Sequence, residues 1–125
     1  MNPAYKTTVF ETEQRTYPAE FAIITAHNPE GKTHTVAEND SLSLKLLRDH
    51  HAQAFESFRV TGMSPDGAHR EAGYGIICSL DAAVQLGRKY KQEAIFQIVY
   101  DQLSLIDLKD LKAHALGSFK ARCKR

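Results

Sequence analysis

The apolar and polar positions change period several times along the chain. Tyr5 to Glu11 is rich in Tyr, Thr, Val and Phe and predicts a strand. Glu20 to Ala26 is almost wholly apolar, the pattern of a strand covered on both faces. Asn28-Pro29-Glu30-Gly31 is turn chemistry. Asn39 or Asp40 is then placed to cap a helix running to about Ala54, with Leu42, Leu46 and Leu47 along one side. Glu56 to Met63 alternates Phe58, Val60 and Gly62 with Arg59 and Thr61, a half-exposed strand. Ser64-Pro65-Asp66-Gly67 fits a type I turn, and Gly73 to Cys78 predicts the next strand.

Ser79 is a good cap for a second helix, Leu80 to Tyr90, with Leu80, Ala83, Val84 and Gly87 as its apolar stripe. A glycine inside a helix costs about 1 kcal/mol against alanine, so Gly87 predicts close packing of that turn on a sheet. Ala94 to Tyr100 has the highest apolar density of the chain and predicts a central, buried strand. Leu103 to Leu108 reads as its hairpin partner, and 109–125 as a short helix or a tail. The order is β-β-α-β-β-α-β-β. Short β-β connections imply antiparallel pairs, so the expectation is an α+β fold, a mainly antiparallel sheet with two helices.

A chain of 125 residues is one domain by length, here 1–110, followed by a basic tail, 111–125. Hydrophobic content of 42% and charged content of 25% are ordinary for a globular protein. No apolar run approaches the roughly 20 residues that span a bilayer, and Met1 to Phe10 has no apolar leader core. Cys78 and Cys123 are the only cysteines; they could form a disulfide, but nothing in the pattern motivates one, so a reducing cytoplasm is the expected compartment. The net charge of +1 hides an asymmetry. All 15 acids lie in residues 1–110, whereas Lys112, Lys120, Arg122, Lys124 and Arg125 follow with no acid among them. A basic end of this kind can engage nucleic acid or an acidic protein. Without interleaved aromatic residues it reads first as a solvated terminus, and nucleic acid is not the expected partner.

Two polar motifs sit at predicted strand ends: Thr25-Ala26-His27-Asn28-Pro29-Glu30-Gly31, and Gly62 through Glu71. Loops on a rigid scaffold are where binding and catalytic groups concentrate. Asn28 reads either as a pocket amide or as a turn side chain bonding its own backbone. Asn39 reads as a pocket amide or as a helix cap. His69 and Glu71 are two apart, so an extended segment points both the same way. That spacing suits a proton-transfer pair, with Glu71 and His69 as the candidate catalytic residues. It would also suit two metal ligands, but no third ligand is near, so no metal and no other cofactor is expected. Gln92 either places an amide at the site or ends its helix. Arg59, Arg70 and Arg88 are cations able to meet a phosphate or carboxylate, Arg59 and Arg88 being the candidates for the site. His50 and His51 are adjacent on a helix and read as surface residues. No P-loop, GxGxxG, HExxH, GxSxG or CxxC pattern occurs, and Ser64 has no evident base.

These motifs resemble a bacterial family, domain-of-unknown-function family 3293. Its pattern is an apolar strand ending Thr-Ala-x-Asn-Pro, a lone Asn before a helix, a glycine-bearing loop leading to a Glu, and a helix entering a Gln-x-Ala-Ile-Phe strand. The matching stretches are Thr25 to Pro29, Glu38-Asn39, Gly62 to Glu71, and Leu86 to Phe96, within roughly 20–108. The chain departs from the pattern at His27 and His69, where an aromatic is expected, and at Ala72-Gly73-Tyr74, which replaces a Pro-Ser-Phe-like stretch. The resemblance implies a fold and the place of a site, and no activity. The reading of the whole sequence is a pocket for a small polar ligand, nucleotide-like, at the strand ends, built from Asn28, Asn39, Glu71 and Gln92 with His69 nearby. Whether it is an enzyme stays open at this point. The rival reading is a non-enzymatic module that engages protein or nucleic acid through the basic tail.

Overall fold

The computed structural model of the protein describes residues 1–124. Strands β1 (Val9–Glu11) and β2 (Glu20–Ile24) precede helix α1 (Val36–Ala52). Strands β3 (Ser57–Met63) and β4 (Arg70–Ile76) lead to helix α2 (Leu80–Lys89). Strands β5 (Ala94–Val99), β6 (Gln102–Asp107) and β7 (Ala113–Ser118) follow. The seven strands form one antiparallel sheet in the order β1-β3-β4-β2-β5-β6-β7. The fold is α+β with two helices, in the expected element order, to which β7 is added.

Each sheet face has its own apolar core. Ala22 and Ile24 of β2 join Tyr74, Ile76, Ile95 and the helix residues Leu46, Ala83, Val84 and Leu86. Phe21 and Ile23, one residue out of phase, join Phe10, Val60, Ile98, Leu103 and Phe119 on the opposite face. This is why β2 is apolar at every position but its first: both faces of a strand inside the sheet are covered. β5 is likewise an interior strand, between β2 and β6. Gly87 packs as its sequence position predicts, since a Cβ there would lie 2.7 Å from Leu108 and 2.8 Å from Ile95.

Four expectations are corrected. Residues Pro3–Thr7 form a 3-10 helix, not the start of a strand, because Pro3 fixes φ at its first turn and Asn2 Oδ1 accepts the Ala4 amide at 2.9 Å. α1 begins four residues before Asp40, under a capping box in which Thr35 and Glu38 satisfy each other's amides. Asn39 is therefore inside the helix and caps nothing. His50 is fully buried, with Nε2 2.8 Å from Ser57 Oγ, while its neighbour His51 is exposed. Finally, 111–124 is not a loose tail. β7 pairs with β6, a 3-10 turn follows over Lys120–Arg122, and Cys123 bridges to Phe10 on the far edge strand. Phe119 supplies the physical reason: its ring is wholly buried between Phe10, Tyr17 and Phe21. Arg122 donates to the carbonyls of Lys6, Thr8 and Leu116, and Lys124 to that of Pro65, so these two cations close the structure. Arg125 lies outside the described residues.

Candidate functional site

The two polar motifs meet. β2 ends at Ile24, and the chain turns through Asn28 (φ 49°), Glu30 (φ 60°) and Gly31 (φ 71°), all in the left-handed region. Non-glycine residues held there are strained and need outside support. That support is a hydrogen-bond network. Asn28 Nδ2 donates to Glu71 Oε2 at 2.8 Å, and Asn39 Nδ2 donates to Asn28 Oδ1 at 3.1 Å. The Asn28 amide donates to Asn39 Oδ1 at 2.9 Å, and the His34 amide to Asn28 Oδ1 at 3.0 Å. A carboxylate only accepts, so Glu71 fixes which way the Asn28 side chain points. Gln92 closes the underside, donating to the carbonyls of His27 at 3.1 Å and Tyr90 at 3.2 Å, and the Glu30 amide donates to Lys91 O at 2.7 Å.

Glu71 is the second residue of β4, opposite Gly62 on β3. The connecting turn is tight, with the Gly67 amide donating to Ser64 O at 2.9 Å. Ser64 Oγ accepts the His69 amide at 3.0 Å, which holds His69 at the same opening as Glu71. Glu71 has no arginine or lysine partner among the described residues, and its second oxygen, Oε1, has no hydrogen bond there.

Glu71 lines a chamber of about 150 Å³ shared with Asn28, Ser64, His69, Tyr5 and Glu93. Among the described residues no lysine or arginine lines it. Tyr5, on the N-terminal 3-10 helix, covers it. Burial above all, then the charges of Glu71 and Glu93 and a hydrogen bond with Glu93, push its hydroxyl up to about 12. Gly31 stands at φ 71°, where glycine is favoured, and a Cβ there would push the end of the Glu93 side chain aside. His27, beneath the loop, is held below its ordinary value, first by burial and against the opposing charges of Glu71 and Asp40.

The chamber thus gathers Asn28, His69 and Glu71, with Asn39 and Gln92 holding the loop behind them. Arg59 and Arg88 are elsewhere. The Arg59 guanidinium lies 5.9 Å from the centre of the Tyr74 ring, and Arg88 donates to Leu108 O at 2.9 Å. Sequence reasoning missed Glu93 and Tyr5. Glu93 adjoins Gln92 at a strand entry, a signal that was there to read, whereas Tyr5 reaches the site only because its segment is helical. Among the described residues no group of three or more His, Cys, Asp or Glu is placed to hold a metal ion, and no helix is long and apolar enough to cross a membrane. A model of a family of proteins of unknown function, DUF3293, matches residues 24–95. No curated protein and no solved structure matches the chain.

Proposed function

The chain belongs to DUF3293, a family of proteins of unknown function, and from that premise we propose that it binds a small polar ligand in the chamber between β3, β4 and the turn after β2. One observation carries this reading: Glu71, one of whose oxygens has no hydrogen bond among the described residues, lines a polar chamber together with a second carboxylate, Glu93, and with no described lysine or arginine. Buried or half-buried carboxylates favour N–H donors, so the ligand presents an amino, amidine or ammonium group. A nucleobase edge with an exocyclic amine meets the same requirement, which is the sense in which the ligand is nucleotide-like. Arg59 and Arg88 do not line the chamber, so neither meets an anionic group there. In this reading Glu71 serves proton transfer, with His69 lining the same chamber. Cys78 and Cys123 are not joined in a disulfide, and this supports a reducing compartment such as the cytoplasm.

The test is a thermal-shift screen of nucleobases, nucleosides and small amines on the intact protein and on Glu71→Gln. A ligand that binds only the folded state raises the melting temperature, by about 2.7 kcal/mol of stability at a hundred times its dissociation constant. The reading requires a hit from the amine-bearing members that Glu71→Gln abolishes. Hits confined to anionic compounds, or hits that survive the substitution, would refute it.

A further inference from the structure

Beyond that chamber, we propose a second site, for an organic phosphomonoester, in the cleft between α1, residues 29–34 and the turn after α2. The cleft measures about 1060 Å³ and shares no lining residue with the chamber. The 28–34 segment is the wall between them. Asn28, Gly31 and Thr33 face the chamber, and Pro29, Glu30, Lys32 and His34 face the cleft. Ligand sites are commonly clefts of roughly 300–1,000 Å³.

The charges in the cleft are unequally satisfied. Its acids already have partners. Asp49 accepts from Lys89 at 2.8 Å and from the Tyr90 hydroxyl. Glu38 accepts the Thr35 amide in the capping box, and Glu30 lies 3.5 Å from Lys32 and 3.8 Å from Lys91. Lys45 and Arg48 line the same cleft and have no acid within ion-pair distance among the described residues. They are three apart on α1, hence neighbours on its surface. Two uncompensated cations side by side match a phosphate monoester, which carries about −1.5 to −2 charge near pH 7, better than a single carboxylate. The guanidinium adds a planar fork for two phosphate oxygens.

The floor beside these cations is apolar. Leu42 is one turn before Lys45 and packs on the helix-side core, and Tyr90 as a residue is 7% exposed. Both line the cleft. The site therefore fits a phosphate on Lys45 and Arg48 and an apolar body on Leu42 and Tyr90.

Phenyl phosphate, inorganic phosphate and phenol are the probes, each titrated into the full chain with amide NMR shifts as readout. Phenyl phosphate is expected to move the amides of 42–49 and Tyr90 saturably, and to bind more tightly than either fragment. Added salt should weaken it, as screening of exposed charges requires. The double variant Lys45→Gln, Arg48→Gln should lose about tenfold or more in affinity, the loss of two charge-assisted contacts. Neither residue has a hydrogen bond or ion pair among the described residues, so its melting temperature should match the parent. Glu71→Gln should bind phenyl phosphate unchanged, which separates this site from the chamber. Absence of saturable shifts would overturn the proposal. So would equal affinity for either fragment, unchanged affinity in the double variant, or shifts confined to the chamber residues.

Discussion

Glu71 and His50 have opposite places in the structure, and substitution separates them. Glu71 accepts one hydrogen bond, from Asn28, and neutralises no cation among the described residues. A buried arginine partner, had there been one, would make its loss cost roughly 3–5 kcal/mol. Glu71→Gln keeps an amide oxygen for Asn28, so thermal denaturation should show a change within about 1 kcal/mol. His50 is 0% exposed, and its pKa is held below the ordinary 6.5. Burial is the main cause, joined by the charge of His51 and opposed by the charge of Asp49. Above 6.5 both the folded and unfolded chains hold it neutral. Below 6.5 the unfolded chain takes up a proton that the folded chain resists, so stability falls as pH falls. Melting temperatures between pH 7.5 and 5.5 should therefore decline, and His50→Gln, though less stable at the upper end, should show a flatter profile. An equal slope in both proteins would contradict this account. His27, also lowered by burial, adds a decline of the same sign in both.

Helix α2 and strand β5 show packing overriding local preference. Alanine in place of glycine within a helix gains about 1 kcal/mol of propensity. At Gly87 the added methyl would sit 2.7 Å from Leu108 and 2.8 Å from Ile95, and overpacking of that kind typically costs 1–3 kcal/mol. Packing is expected to win, and Gly87→Ala should lower the denaturation midpoint; a rise would mean that this interface yields easily. β5 lies between two paired neighbours, with Ile95 and Ile98 each about 1% exposed on opposite faces. Its interior amides, Phe96 and Ile98, should exchange with solvent only in global unfolding.

At the scale of the molecule, the C-terminal segment ties the two ends of the sheet together. β7 is one edge strand, and five residues after it Cys123 meets β1, the other edge. The Phe119 ring between them is wholly buried. Phe119→Ala should cost about 3–5 kcal/mol, as large aromatic truncations in cores do. Denaturant unfolding would measure it, and a loss under 1 kcal/mol would show that residues 111–124 are an appendage rather than part of the core. The same contacts engage Arg122 and Lys124, which leaves Lys112 and Lys120 as the described cations of this region for any outside partner.

What the sequence determined by itself was whatever depends on neighbours within a few residues. Alternation placed β3, the density of apolar residues placed β2 and β5, Ser79 placed the start of α2, and Ser64-Pro65-Asp66-Gly67 placed a turn. Gly87 announced a close contact because a helix does not keep glycine without cause. The pairing of the two polar motifs was legible only as their position at strand ends. Tertiary structure decided the rest. Antiparallel pairing of β4 with both β2 and β3 brings Glu71 to Asn28, 43 residues away in sequence. Glu93 and Tyr5 line the same chamber because four separate segments converge there, and no local pattern encodes that convergence. Arg59 and Arg88 had the right charge for the site but point to Tyr74 and Leu108, since a side chain's periodicity fixes its face and not what that face meets. The basic C-terminus read as solvated because charge dominates its composition. Its single large aromatic, Phe119, found an aromatic core assembled from β1, β2 and the loop at Tyr17, and burying that ring outweighed the cost of ordering the segment.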